Sequence, residues 1–585
     1  MSINGSSIII KSLVDCGVDT IFGYPGGAVL PLYDEIFKQN HLRHILVRHE
    51  QGAAHAAEGY ARSTGKIGAV LVTSGPGATN TVTGLADAYL DSIPLICITG
   101  QVPSVMIGSD AFQEADTVGI TRPCSKHNYL VKDINDLERT IKEAIHVATT
   151  GRPGPVVIDI PKDIQIQMTE YQGLKNVTRD SYSVQLKAEQ QSIDDAIALI
   201  ANAKRPVFYT GGGVINSGPK AAKLLTEFAQ MLGFPVTSTL MGLGGYPTTD
   251  QQFLGMLGMH GSREANMCMA KCDVMINIGA RFDDRITGRL DAFSPDSKKI
   301  HVDIDPSSIN KNVLVDVPVI GDCASVLEQM ITAWKKGNHK VDKKALAPWW
   351  KEISDWRAKP SFSYNQPKAK KAIAKPQYVL DRLNQLILNK DAYVTTDVGQ
   401  HQMWSAQFID FDKPNRWMTS GGLGTMGYGL PSAIGVQIAH PKSSVVCVSG
   451  EASVMMNIQE LSTAVQYRLP VKLLILNNHY MGMVRQWQEL FFGDRHSESY
   501  MDALPDFVKL AEAYGITGLR CEHAGDVDST LEKMLSTKGP VVVDMIVDPK
   551  ENVYPMIPAG AAHHEMEFGP EDKIEVDTQK ARIQV

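Results

Sequence analysis

An α/β protein of three doubly wound parallel-sheet domains, two alike at the ends and a different one between them, is what the sequence predicts. Short β-rich apolar runs alternate with longer helical patterns from end to end, as parallel sheets covered by helices on both faces require. The chain has 585 residues, which at about 150 residues per domain leaves room for three or four cores. Gly154-Pro155-Val156-Val157-Ile158-Asp159 closes the first set of strands, and Gly539-Pro540-Val541-Val542-Val543-Asp544 closes the last. Such an echo suggests two similar outer domains.

Taken in order, the first domain (1–165) has candidate strands at 45–47, 67–72, 95–99 and 156–160, the last stopped by Pro161. A polar stretch leads into a middle domain (190–335) with strands at 207–209, 236–239, 274–278 and 300–304. Residues 336–375 are rich in Lys, Pro and Trp and read as a linker. Its Trp349, Trp350 and Trp356 are spaced for one helix face and should pack on a neighbouring domain. The third domain (376–548) has strands at 393–395, 445–448, 473–476 and 541–546, and residues 549–585 read as a tail or lid.

Composition narrows the function. A formal charge of −7 provides no basic field to gather nucleic-acid phosphates or an anionic bilayer. Apolar residues at 43% and charged ones at 21% exclude long disorder and fibrous repeats. The cysteines sit singly, mostly in apolar runs, and the close pair Cys268 and Cys272 lacks the second Cys or His pair of a zinc site, so both read as buried thiols. The first residues show neither a signal nor a transit pattern, and no apolar run approaches the roughly 18 residues of a membrane span. The expected location is the cytoplasm.

The segment from Val445 to Tyr480 carries the most chemistry. A strand runs into Ser449-Gly450-Glu451-Ala452-Ser453, a helical stretch follows, and the next strand ends in Asn477-Asn478. Both ends fall at the carboxyl edge of a parallel sheet, where ligands bind. The Glu451 carboxylate, the Asn478 side-chain oxygen and a nearby backbone carbonyl are hard donors suited to Mg²⁺ shared with a diphosphate. Gly450 permits the tight turn, and the amides of Ala452 and Ser453 at a helix start can receive phosphate oxygens. Either piece alone also reads as an ordinary strand-to-helix turn or an Asn-Asn loop.

Gly-acid-Ala followed after some 25 residues by Asn-Asn is the thiamine diphosphate fingerprint, and the chain resembles the acetohydroxyacid (acetolactate) synthase catalytic-subunit family over nearly its whole length. Further motifs carry the resemblance: Tyr24-Pro25-Gly26-Gly27, Arg48-His49-Glu50-Gln51-Gly52-Ala53, Thr73-Ser74-Gly75-Pro76-Gly77-Ala78-Thr79-Asn80, Ala111-Phe112-Gln113-Glu114, Gly279-Ala280-Arg281-Phe282-Asp283-Asp284-Arg285, Val398-Gly399-Gln400-His401, Gly421-Gly422-Leu423-Gly424-Thr425-Met426-Gly427 and Gly482-Met483-Val484-Arg485-Gln486-Trp487. The resemblance implies outer domains that bind thiamine diphosphate and a Rossmann-like middle domain that holds FAD. It also implies decarboxylation of pyruvate and condensation with pyruvate or 2-ketobutyrate, the first common step of valine, leucine and isoleucine synthesis.

Site residues follow by the same resemblance. Glu50, which alone reads as an acid satisfying a helix dipole, matches the general acid/base at the thiamine pyrimidine, and its alanine-rich helix offers a dry setting. Gly27, Phe112, Gln113 and Lys162 match the reacting centre. Pro25, Gly26, Pro76, Asn80, Val398, Gly399, Gln400, His401, Gly424, Met426, Gly450, Ala452, Ser453, Asn478 and Met483 match coenzyme contacts, Met426 as the apolar wedge that bends the coenzyme. Glu451, Asn478 and Tyr480 match the Mg²⁺ ligands. The family's usual first ligand is Asp; the longer Glu451 keeps charge and donor type, so metal binding is expected to survive. Arg152, Gly211, Gly212, Gly213, Thr239, Leu240, Leu257, Gly258, Met259, His260, Gly279, Arg281, Asp303, Ile304 and Asp322 match FAD contacts, while Met241 stands where relatives often have Gln. Arg285, Trp487 and Met259 match substrate contacts. Arg285 suits a second carboxylate, although by itself it reads as an ion pair with Asp283 or Asp284. Trp487 suits the extra methyl of 2-ketobutyrate. A homodimer or homotetramer and a small regulatory subunit are implied as well.

Three other readings define what would count against this one. Another thiamine enzyme, a pyruvate oxidase or simple decarboxylase, should share Glu50 and the 450–478 segment but lack Arg285 and Trp487 in these contexts. A nicotinamide dehydrogenase leaves the thiamine motif unexplained. A non-catalytic assembly subunit predicts cofactor binding without turnover.

Overall fold

A computed structural model describes residues 2–572. Three six-stranded sheets, each parallel throughout, form the layers. In the first, the strands lie in the order Arg43–Leu46, Thr20–Gly23, Gly68–Val72, Leu95–Gln101, Pro155–Pro161, His127–Leu130. The third runs Trp417–Met418, Ala392–Thr396, Ser444–Ser449, Lys472–Asn477, Val541–Ile546, Thr517–Cys521. Numbered by chain position, both orders are 2-1-3-4-6-5, and the repeated Gly-Pro-Val-Val run feeds the same strand in each. The middle sheet runs Phe253–Met256, Val236–Ser238, Pro206–Thr210, Val274–Ile278, Lys298–Asp303, Val317–Ile320. That 3-2-1-4-5-6 order is the Rossmann arrangement, with its crevice at the switch point between the first and fourth strands.

Six strands of these sheets have no counterpart in the sequence reading, and five of them are sheet edges: His127–Leu130, Phe253–Met256, Val317–Ile320, Trp417–Met418 and Thr517–Cys521. An edge strand faces solvent on one side and lacks the continuous apolar run of a strand buried on both faces. The sixth, Thr20–Gly23, is central but only four residues long. The 336–375 stretch is more than a linker. Asp342 caps the helix Lys343–Arg357, whose Leu346, Trp349 and Ile353 are buried in the core of the middle domain. The Trp349 and Trp350 indoles donate to the carbonyls of Pro206 (3.0 Å) and Gly233 (2.9 Å). Residues 549–572 return across the middle domain, where Ile557 N donates to Met259 O at 2.8 Å. The remainder of the tail, 573–585, lies outside the described residues. Among those described, no helix is long and apolar enough to cross a membrane.

One core unites the outer domains: Ile45, Ala53, Ala57 and Val70 of the first pack in the same cluster as Tyr428, Ala433, Val436 and Val445 of the third. At its centre the helix Glu50–Thr64 crosses the helix Gly429–Ala439. The crossing is close because it is made at glycines. A Cβ on Gly435 would collide with Ala56 O, and one on Gly59 with Ser432 O. A glycine in a helix interior costs up to about 1 kcal/mol against alanine, so only the approach explains them. Gly435→Ala should therefore lower the thermal unfolding midpoint, because overpacking costs about 1–3 kcal/mol and outweighs the gain in propensity. A raised midpoint in calorimetry would show that the helices do not need this separation.

Candidate active site

The strands Ala392–Thr396, Ser444–Ser449 and Lys472–Asn477 end beside one another, and their loops enclose a cleft of about 60 Å³. Gln400, His401, Met426, Gly450, Glu451, Ala452, Ser453, Asn478 and Tyr480 line it with Val398, Gly399 and Met483. Gly450 caps the short helix Glu451–Val454, which aims its first amides into the space. A side chain on Gly450 would crowd His401 Nδ1 at 3.0 Å, and one on Gly482 would collide with Gln400 Oε1. Asn478 holds Gln400 Oε1 (3.3 Å) with its amide and accepts Tyr480 N (3.0 Å) with its oxygen. Gln400 is held from behind by Gln486 Oε1 (2.9 Å) and Glu551 O (3.1 Å).

Three buried polar atoms of residues lining this cleft have no protein partner among the described residues: Glu451 Oε1, His401 Nε2 and Trp404 Nε1. Burial pushes the Glu451 carboxyl up to about 7 while the amides around it, including those of Asn478 and Tyr480, pull it back, and burial brings His401 down to about 3. His401 is therefore neutral in the physiological range. An orphaned buried carboxylate oxygen costs free energy unless a cation meets it. The donors fit a hard divalent ion, and the free imidazole nitrogen and helix amides fit an anion's oxygens. Glu451 in place of Asp thus still delivers its carboxylate into the cleft.

Glu50 sits elsewhere. It begins its helix half-buried, with Asn80 Nδ2 donating to Oε2 at 2.9 Å and Gly77 close enough that a Cβ would stand 3.6 Å from Oε1. Pro25, Gly26 and Gly27 form the adjoining loop, where a Cβ on Gly26 would stand 2.5 Å from Thr73 Cβ, and Pro76 heads the helix Pro76–Thr79. Gln113 is in the left-handed region (φ 59°), and its carbonyl would stand 2.7 Å from a Cβ on Gly75. Phe112 beside it is 88% exposed. Lys162 opens the helix Lys162–Ile166. None of these first-domain residues lines the cleft of the same chain. The loop that carries Phe112 and Gln113 is tied to the sheet: Asp159 accepts Thr99 Oγ1 (2.7 Å) and Gln101 Nε2 (3.0 Å), and Gln101 also donates to Ala115 O (2.8 Å).

A second cavity, of about 1060 Å³, lies between all three domains. From the sequence-derived set, Arg152, Gly212, Gly213, Thr239, Leu240, Leu257, Met259, His260, Gly279, Arg281, Asp303, Ile304 and Asp322 line it, with Arg285, Trp487 and Gly424. Val398 and Met483 line both this cavity and the cleft. Gly211 and Gly258 sit where backbones approach closely. Gly211 is pressed on Gly279 O, and Gly258 (φ 98°) would bring a Cβ to 2.7 Å from Arg285 O, so each serves close backbone packing. Arg285 is half-exposed and 3.9 Å from Asp284, whereas Asp283 pairs with Arg281 at 3.0 Å. Its guanidinium is thus loosely held. Trp487 packs on Phe491 (ring centroids 5.0 Å apart) beside Met259 and Met556. Sequence reasoning missed Trp404 and Leu476, which also line the cleft, because apolar residues there resemble core. Gly482 and Val484, also lining, were visible only as part of a motif.

Family descriptions match all three domains: "Thiamine pyrophosphate enzyme, N-terminal TPP binding domain" over residues 3–120, the central domain over 193–330 and the C-terminal TPP binding domain over 397–545. Among curated relatives, the "Acetolactate synthase large subunit" of Haemophilus influenzae is 49% identical over 567 residues, covering 96% of this chain and 98% of the relative. The "Acetolactate synthase isozyme 3 large subunit" of Escherichia coli is 48% identical over 569 residues, with the same coverage. The "Acetolactate synthase" of Mycobacterium bovis is 46% identical over 570 residues, 97% of this chain and 91% of the relative.

Burial raises Asp159 from 3.8 to about 7, with Thr99 and Gln101 pulling the other way. The folded chain then holds a proton that the unfolded chain has released, so stability falls as pH rises from about 4 to about 7, by at most about 1.4 kcal/mol per unit. Relative to Asp159→Asn, the wild-type thermal midpoint should drop across that window and stay level above it. A difference between the two proteins that is constant with pH would contradict the assignment.

Proposed function

The chain belongs to the thiamine pyrophosphate enzymes and, among them, to the acetolactate synthase large subunits, and on that footing we propose how its residues divide the work. The activity is acetolactate synthesis: pyruvate loses carbon dioxide, and the two-carbon unit joins pyruvate or 2-ketobutyrate to give 2-acetolactate or 2-aceto-2-hydroxybutyrate. The observation that carries the division of labour is the wall shared by the cleft and the large cavity, Val398 and Met483. It supports a coenzyme site that adjoins a pocket with a loosely paired arginine and an apolar tryptophan.

When bound, thiamine diphosphate would supply a carbon acid and an electron sink for the decarboxylation. Glu50 exchanges the proton at the pyrimidine nitrogen, steadied by the Asn80 amide on its Oε2. Glu451, Asn478 and the Tyr480 carbonyl would hold Mg²⁺. Gln400, His401, Ala452 and Ser453 would hold the diphosphate, and Gly424 and Met426 the pyrimidine. Arg285 orients the carboxylate of the second keto acid, and Trp487 packs on the extra methyl of 2-ketobutyrate, a contact worth about 1–3 kcal/mol. FAD would occupy the large cavity against Gly212, Gly213 and Arg152. The reaction transfers no net electrons, so its role there would be structural.

Glu50 lines neither opening of its own chain. We read the complete site as shared by two copies, one giving the Glu50 cluster and the other the cleft, so that a homodimer is the smallest active form and a homotetramer a pair of such dimers. The relatives are named large subunits, which implies a separate small regulatory partner. The working compartment is the cytoplasm.

Turnover of pyruvate with and without 2-ketobutyrate, with thiamine diphosphate, Mg²⁺ and FAD omitted in turn, tests the scheme. Acetolactate should require all three, and acetate, peroxide or free aldehyde as the main product would favour another thiamine enzyme. Glu50→Gln should cut keto acid consumption by about 10²–10⁴-fold; unchanged consumption would remove Glu50 from its role.

A further inference from the structure

The loop Ser420 to Gly427, which carries Gly424 and Met426, hangs from three buried carboxylates. Asp91, at the end of the first-domain helix Val82–Leu90, accepts Gly421 N at 2.9 Å on one oxygen and Gly422 N at 2.6 Å on the other. Asp87, one turn earlier, accepts Ser420 Oγ at 2.5 Å, and that hydroxyl in turn accepts Thr425 N at 2.8 Å. Asp397, from the third domain itself, accepts Gly427 N at 2.7 Å and Val398 N at 2.9 Å. Arg62, in the helix that begins with Glu50, donates to Thr419 O and stands 3.7 Å from Asp91.

The two glycines follow from this grip. A Cβ on Gly422 would stand 2.9 Å from Asp91 Oδ1 and 2.8 Å from Leu90 Cβ, and one on Gly421 would collide with Met241 Sδ. Burial raises Asp91, while Arg62 and the two amides pull it back towards the charged form. A carboxylate that meets two neighbouring amides with both oxygens fixes their position and their orientation together.

We propose that Asp91 is a positioning residue for the coenzyme: its two-oxygen grip on Gly421 and Gly422 sets where Gly424 and Met426 stand, although Asp91 does not line the coenzyme cleft. The inference rests on the reading that Gly424 and Met426 hold the pyrimidine. It makes coenzyme affinity in the third domain depend on a side chain of the first domain of the same chain.

The test is the dissociation constant of thiamine diphosphate, measured by fluorescence quenching on FAD-loaded, magnesium-saturated protein. FAD content is followed by absorbance because Asp91 also borders the large cavity. Asp91→Ala should weaken coenzyme binding by about tenfold or more. Asp91→Asn, which keeps one acceptor, should weaken it by less, and Ser420→Ala should move it in the same direction through the Asp87 tie. The Asp91→Asn and Ser420→Ala variants carry the test if Asp91→Ala does not fold. A purely structural role would lower the melting temperature and leave the constant within about twofold of wild type in all variants that fold, and that result would overturn the inference. A wild type that binds no thiamine diphosphate would overturn the underlying site reading and the inference with it.

Discussion

The close crossing of the helices Glu50–Thr64 and Gly429–Ala439 is the constraint on which the architecture depends. Through Gly59 and Gly435 it lets two similar domains share one apolar core. Its two ends do different work. At one end Glu50 and Asn80 gather on the carboxyl side of the first sheet, while near the other Arg62 reaches Thr419 and Asp91 beside the third domain's glycine loop. A single rigid element therefore presents an acid to one place and steadies a binding loop at another.

Buried polarity is managed differently in the two places. Around the glycine loop Asp87, Asp91 and Asp397 each accept from amides or a hydroxyl, while the second oxygen of Asp87 has no hydrogen-bond partner and lies 3.8 Å from the buried His55. In the cleft Glu451 Oε1 and His401 Nε2 are buried and point into open space without protein partners. A fold tolerates such atoms where a ligand completes them.

Much of this was legible in the sequence. The central strands are continuous apolar runs buried on both faces, and the coenzyme motifs sit at their carboxyl ends, so Gly450 to Asn478 could be placed on one edge. Five of the six edge strands were not legible because half-solvated residues carry no such run; the sixth, Arg43–Leu46, was read from the apolar residues at 45–47. Asp87, Asp91 and Asp397 were silent because a buried acid and a surface acid look alike until their partners are known. Gly211 and Gly258 show what glycine alone signals, a close backbone approach, here to Gly279 and Arg285. The tryptophans of 336–375 were read as packing residues, but not as part of the middle domain's core.

The claim at the centre is that a complete site takes Glu50 from one copy and the Glu451 cleft from another. Mixing purified Glu50→Gln with Asn478→Ala protein under conditions of subunit exchange tests it most directly. Random pairing of two inactive variants should restore roughly a quarter of wild-type acetolactate formation, because half the dimers are mixed and each holds one intact site. A mixture that exchanges subunits and yet stays as inactive as its components would show that each chain builds its site alone.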